Sequence, residues 1–152
     1  MWTTQDDPPQ GRNITRAGLS SADMAEFLAR EFPQCKCRVL EVGPGTAAIA
    51  HEVGVDELRP GGTVSGPVLM TVADVGLYVA LLGEIGIVPL AVTTNLTINF
   101  MRRPSAGRRI VGVCKLLKVG KRQAVGEVLL YSEGDPAVVA HAIGTYSIPP
   151  VR

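Results

Sequence analysis

Hydrophobic spacing announces a helix first. Ser20 and Ser21 offer N-caps, Met24, Phe27, Leu28 and Phe32 follow at helical intervals, and Pro33 stops the pattern. From about Arg38 the pattern changes to strands: Val39 to Val42, a Gly43-Pro44-Gly45 turn, then Thr46 to Val55. Residues 54–65 read as a loop rich in Gly, Pro and charge. Residues 66–86 then carry apolar side chains all the way round, which predicts a helix buried on every side. Ser65 is its expected N-cap, Pro67 sits in its first turn, and Gly83 and Gly86 with Pro89 end it. Beyond it, Val92, Thr94, Leu96, Ile98 and Phe100 alternate with Thr93, Asn95, Thr97 and Asn99, a strand with a period of two. Three more strand-like runs, 109–119, 122–132 and 137–148, are separated by turn signals. Two strands, one buried helix and four further strands predict an α+β fold, an antiparallel curved sheet wrapped around one long central helix.

Composition narrows this picture. The 152 residues suit one domain, with residues 1–19, where Pro and Gly stand among polar residues, as a flexible arm and 20–152 as the domain. Hydrophobic residues make up 46% but aromatics only 5%, so Val, Leu, Ile and Ala must build the core. A net charge of +1 argues against a dedicated nucleic-acid or membrane-surface partner. The N-terminus lacks the pattern of a signal peptide, and Asp74 interrupts the longest apolar stretch, so a soluble, cytoplasmic protein is expected. Cys35, Cys37 and Cys114 are odd in number and show no pairing pattern, which fits a reducing compartment.

Asp74 is the residue that points to chemistry. A carboxylate in the middle of an apolar helix is costly unless it is paired or put to use. A structural Asp bonded to a neighbouring strand or a dimer partner accounts for it equally well. The start of the same helix adds weight: backbone N–H groups at Gly66 and just after it lack intrahelical partners and favour developing negative charge. Such donors are what a thioester carbonyl needs as it becomes an oxyanion. Gly66 and Asp74 are eight positions apart, about 12 Å along an ideal helix, too far to act on one carbon in the same chain. Two such helices side by side and antiparallel in a symmetric dimer bring Asp74 of one copy to Gly66 of the other.

At these residues the chain resembles the PaaI-type branch of the hotdog-fold acyl-CoA thioesterases, over roughly residues 36 to 149. The resemblance is carried by GGTVSGPVLMTVADVGLYVAL, VTTNLTINFMRRPSAG, VGKRQAVGEV and VAHAIGTYSIP. It implies hydrolysis of acyl-coenzyme A to a carboxylic acid and coenzyme A at a homodimer interface, with association into a homotetramer left open. It implies that Asp74 is nucleophile or general base, that Gly66 supplies the oxyanion N–H and that Thr93 holds water or the carboxylate. No metal or cofactor is implied. Two positions depart from the family: Ser65-Gly66-Pro67 stands where His-Gly-Gly is usual, and Arg59 stands where an Asn or Gln is usual. These departures favour the alternative, a hotdog module that binds acyl-CoA without hydrolysing it.

Residues 102–122 hold more than half of the chain's 15 Lys and Arg and no acid. Arg102, Arg103, Lys121 and Arg122, with Ser65 and Arg59, are the candidate substrate contacts, since Arg grips phosphate oxygens bidentately. Solvated strand edges explain the same residues one by one. The run lacks the aromatics that stack bases, so nucleic acid is not expected. Thr63-Val64-Ser65-Gly66-Pro67 lacks the first Gly of a nucleophile elbow. Cys35-Lys36-Cys37 with His51 and His141 lacks zinc spacing, and nothing in the spacing supports a Cys114–His141 pair.

Overall fold

The computed structural model describes residues 13–105 and 107–150. Helix α1 (Ser21–Glu31) begins at a capping box in which the Ser20 hydroxyl accepts from the Asp23 N–H and the Asp23 carboxylate accepts from the Ser20 N–H. Strands β1 (Arg38–Gly43) and β2 (Thr46–His51) form a hairpin, and a short 3-10 turn (Val55–Glu57) follows. The expected loop contains a two-residue hairpin, β3 (Leu58–Arg59) with β4 (Thr63–Val64). Helix α2 spans Gly66–Ile85, and β5 (Val92–Phe100), β6 (Ile110–Val119), β7 (Gln123–Ser132) and β8 (Val138–Ser147) complete the chain. The six long strands make one antiparallel sheet in the order β1-β2-β6-β7-β8-β5, with α2 packed against its inner face. This is the hotdog arrangement predicted above.

Small residues in the sheet set how closely α2 lies. Gly126 on β7 and Gly144 on β8 are register partners, and a Cβ added to either would stand 2.6 or 2.5 Å from Leu77. The pair forms the hollow that receives Leu77, which is 1% exposed. Gly76 similarly faces Cys114 on β6.

Three expectations need correction. The helix is not buried all round: Pro67, Met70 and Thr71 are exposed, and Asp74 and Tyr78 half-buried, so one stripe at i, i+4 and i+8 spacing lies open in the single chain. Ser65 has the extended backbone of an N-cap, but its side chain makes no capping bond. Gly83 does not end the helix. It lies inside, against Thr15, while Gly86 is the C-cap at φ 94°.

That contact belongs to the expected arm. Residues 1–12 lie outside the described residues, but 13–19 are docked rather than loose. The Ala17 N–H donates to the Gly83 carbonyl at 3.0 Å, and Asn13 Oδ1 accepts from the Val42 N–H at 2.9 Å. Arg16 Nε lies 2.8 Å from Glu84. A glycine at 83 is what lets this segment lie on the helix.

Candidate active site

Asp74 sits midway along the open stripe of α2, and two hydroxyls from the sheet converge on it. Thr93 Oγ1 donates to Asp74 Oδ1. The Tyr146 hydroxyl lies 2.6 Å from the same oxygen and 2.9 Å from the Asp74 main-chain carbonyl. Both side-chain bonds go to Oδ1. Oδ2 has no protein partner among the described residues and is not sealed in.

A β-bulge aims Thr93. The register of β5 against β8 pairs Thr93 with Tyr146 and Leu96 with Gly144, slipping by one residue at Thr94. Strict alternation would turn Thr93 to the face opposite Leu96. The bulge turns both toward α2, which re-aims a side chain beside the site. Tyr146 arrives by ordinary alternation on β8, inward with Ala142 and Ala140. Burial, reinforced by the Asp74 carboxylate, holds the Tyr146 phenol far above its usual value. It therefore stays protonated and a donor.

A cavity of about 700 Å³ opens beside this cluster, between the end of α1, α2 and the segment before β5. Asp74, Thr93 and Tyr146 give it a polar wall; Phe32, Val75, Tyr78, Leu90 and Val92 line much of the remainder. Tyr78 braces it, donating to the Pro89 carbonyl at 2.9 Å and stacking toward Tyr146 with ring centroids 6.2 Å apart. The size and mixed lining are those of a small-molecule site.

The other predicted residues lie elsewhere. Gly66 opens α2, and the Phe100 ring covers it: a Cβ there would stand 3.3 Å from the ring. Ser65 is tied by its main chain, its N–H donating to the Glu57 carbonyl at 3.0 Å. Arg59 is exposed on β3 and does not reach the cavity wall. The basic run does not form one patch. Arg102, Arg103, Arg108 and Arg109 sit before β6 or at its start, whereas Lys118, Lys121 and Arg122 sit at its far end, about 30 Å away along an extended strand. Arg109 is also committed to Glu133 at 2.5 Å, and Arg102 Nε donates to the Val138 carbonyl at 3.1 Å.

Sequence reasoning missed Tyr146 and Tyr78. The signal for Tyr146 was present, an inward position carrying a phenol among Ala and Gly neighbours on β8. Cys114 and His141 do not meet: Cys114 faces α2, while His141 bonds Glu127 on the other face of the sheet. Among the described residues no cluster of His, Cys, Asp or Glu is placed to hold a metal ion.

The model of the thioesterase superfamily matches residues 61–139, just over half of the chain and the segment that contains α2 and β5. Among solved structures, a presumed thioesterase from Silicibacter sp. TM1040 is 42% identical, over 86% of this chain and 92% of that one, with a TM-score of 0.79. The phenylacetic acid degradation protein PaaI from Thermus thermophilus, in a mutant form, is 28% identical over 82% and 99%, with a TM-score of 0.67. PaaI from E. coli is 20% identical over 86% and 96%, TM-score 0.71, a likeness of fold. A comparison with curated proteins yields no match.

Proposed function

Because the chain belongs to the thioesterase superfamily, we propose that it hydrolyses acyl-coenzyme A thioesters in the cytoplasm, at a site completed by a second copy of itself. The observation that carries this is the Asp74 carboxylate, fixed through one oxygen by Thr93 and Tyr146 while the other stays free beside the cavity. With the acyl group in the cavity, Oδ2 either attacks the carbonyl carbon or takes a proton from the attacking water. In both cases the carbonyl oxygen gains negative charge and coenzyme A leaves as a thiol.

That charge needs a donor, and the chain's own Gly66 is about 12 Å from Asp74 along the helix. A second copy supplies the remedy. Strand β5 lies at the sheet edge with Val92 54% and Phe100 53% exposed, and the open stripe of α2 runs beside it. Such an exposed edge with apolar neighbours favours pairing. Two copies joined along β5 about a two-fold axis near Leu96 would set Thr93 of one close to Phe100 and Gly66 of the other. The helix start of the second copy then offers its N–H to the oxyanion formed at Asp74.

Release of free thiol from a panel of acyl-coenzyme A compounds tests the proposal. The natural chain should turn over at least one of them, and Asp74→Asn should lose roughly 10³-fold or more in kcat, within the range that positioned acid–base and nucleophilic groups supply. An unchanged rate in a folded Asp74→Asn protein removes the carboxylate from the reaction. Binding of acyl-CoA without thiol release would favour a carrier module, the reading that Arg59 and Ser65-Gly66-Pro67 support.

A further inference from the structure

The charge on the wall of the cavity beside Asp74 has one sign. Among the described residues two carboxylates line it, Asp74 from α2 and Glu31 from α1, and no Lys, Arg or His does. Glu31 is the last residue of α1, where the helix dipole already leaves partial negative charge. An acid there works against the helix, so the stability of α1 does not account for it. Arg30 Nε lies 3.3 Å from Glu31 Oε1, but both side chains are at least half exposed and Arg30 takes no part in the wall. A pair of that kind is weak and screened by water. The apolar part of the wall adds to the same preference. Half of the chain's Phe and Tyr residues, namely Phe32, Tyr78 and Tyr146, line this one cavity, and aromatic faces attract cations.

We propose that Glu31 is a specificity-determining residue that selects the acyl group by charge. Groups ending in a cation are preferred to neutral groups of the same shape, and groups ending in a carboxylate are turned away. This rests on the reading that the acyl group occupies the cavity at Asp74. With its carbonyl carbon at Asp74, the group extends away from α2 toward the wall that α1 and the segment before β5 supply. Glu31 is the charged side chain on that wall.

Glu31 does not touch the reacting atoms. Its charge acts on the far end of the acyl group in the bound state and in the transition state alike, so it moves binding and KM rather than kcat. Size does not sort short acyl groups here, because a cavity of about 700 Å³ holds any of them. The cation that fits best is a quaternary ammonium. It has no N–H to leave unpaired among apolar residues, and both a carboxylate and an aromatic face attract it. A carboxylate entering the same space gives up its water and meets like charge.

Four non-hydrolysable analogues test this on the full chain. In each, a methylene group separates the coenzyme A sulfur from the carbonyl, and a three-carbon chain beyond the carbonyl ends in trimethylammonium, tert-butyl, carboxylate or isopropyl. Each charged end thus has a neutral partner of similar shape, and the coenzyme A part is common to all. Calorimetry should give the trimethylammonium compound a Kd about 2- to 5-fold below that of the tert-butyl compound, the scale of one half-exposed charge contact. The carboxylate compound should have a Kd about 2- to 5-fold above that of the isopropyl compound, and both ratios should shrink in salt. Glu31→Gln keeps the side-chain shape and should bring both ratios toward one. Ratios of one in the natural chain, ratios undiminished in Glu31→Gln, or no binding of any analogue would overturn the proposal. Thiol release from 5-methylhexanoyl-coenzyme A, the neutral thioester, tests the hydrolase reading separately. Hydrolysis with flat ratios sinks the charge selection alone, whereas charge-dependent ratios without hydrolysis leave the selection standing in a binding module.

Discussion

The two ends of the open stripe on α2 are built differently. At Asp74 the carboxylate is held by two hydroxyls from two strands, and a cavity opens beside it. At Gly66 there is a helix start where Pro67 has no N–H and the Val68 N–H already donates to the Ser65 carbonyl, which leaves the Gly66 N–H, with a phenyl ring beside it. In the proposed reaction one end attacks and the other receives charge, and about 12 Å of helix keeps them apart. On the proposed function, a single chain carries two unlike halves of one site.

The largest expected effect after loss of Asp74 itself is a recovery. Asp74→Asn and Gly66→Val should each be nearly inactive alone, with the dimer confirmed by sedimentation. Mixed after reversible unfolding, half of the dimers are hybrids, and in each hybrid one of two sites has both Asp74 and Gly66 intact. Activity should return to about a quarter of the natural level. If the mixture stays as inactive as its parents while hybrids form, both residues serve the same chain's site and the division between the ends is wrong.

Next in size is Tyr146→Phe, which removes a hydroxyl from Asp74 Oδ1 and leaves the ring in place. A hydrogen bond to a charged group contributes about 1.5–3 kcal/mol, so kcat should fall roughly 10- to 100-fold with little change in KM. Thr93→Val should act in the same direction. A fall in melting temperature with kcat preserved would make both hydroxyls structural supports for a half-buried acid.

These residues also show what the sequence discloses. Helical hydropathy with one acid in mid-helix made α2 and Asp74 plain, because the cost of a carboxylate among Val and Leu is a local property. Thr93 was reached through family resemblance, not alternation, since the period-two pattern puts it on the wrong face and only the bulge at Thr94 restores it. A bulge depends on the register between β5 and β8, which no single segment encodes. Docking of residues 13–19 was hidden in the same way: Gly83 looks like a helix stop until Thr15 is seen against it. The basic run misled for the opposite reason. Its residues are neighbours in sequence, but a ten-residue strand carries them to opposite ends of the sheet.

The smallest effect decides which end binds the phosphates of coenzyme A. If the acyl group occupies the cavity at Asp74, the rest of the substrate must leave past the Gly66 end of the second copy. Arg102 and Arg103 follow Phe100 there, exposed. Lys121 and Arg122 sit instead in the β6–β7 turn, beside the Asp74 end, where the Ile148 N–H meets the Arg122 carbonyl. Exposed charge contacts contribute about 0.2–1 kcal/mol each, so Arg102→Ala with Arg103→Ala should raise KM for acyl-coenzyme A about 2- to 10-fold and leave kcat unchanged. The effect should shrink in salt as the contacts are screened. A short thioester of N-acetylcysteamine, which has no phosphates, should show no change in either variant pair. If Lys121→Ala with Arg122→Ala moves KM and the arginine pair does not, the substrate runs the other way along the helix. The cavity beside Asp74 would then hold pantetheine rather than the acyl group.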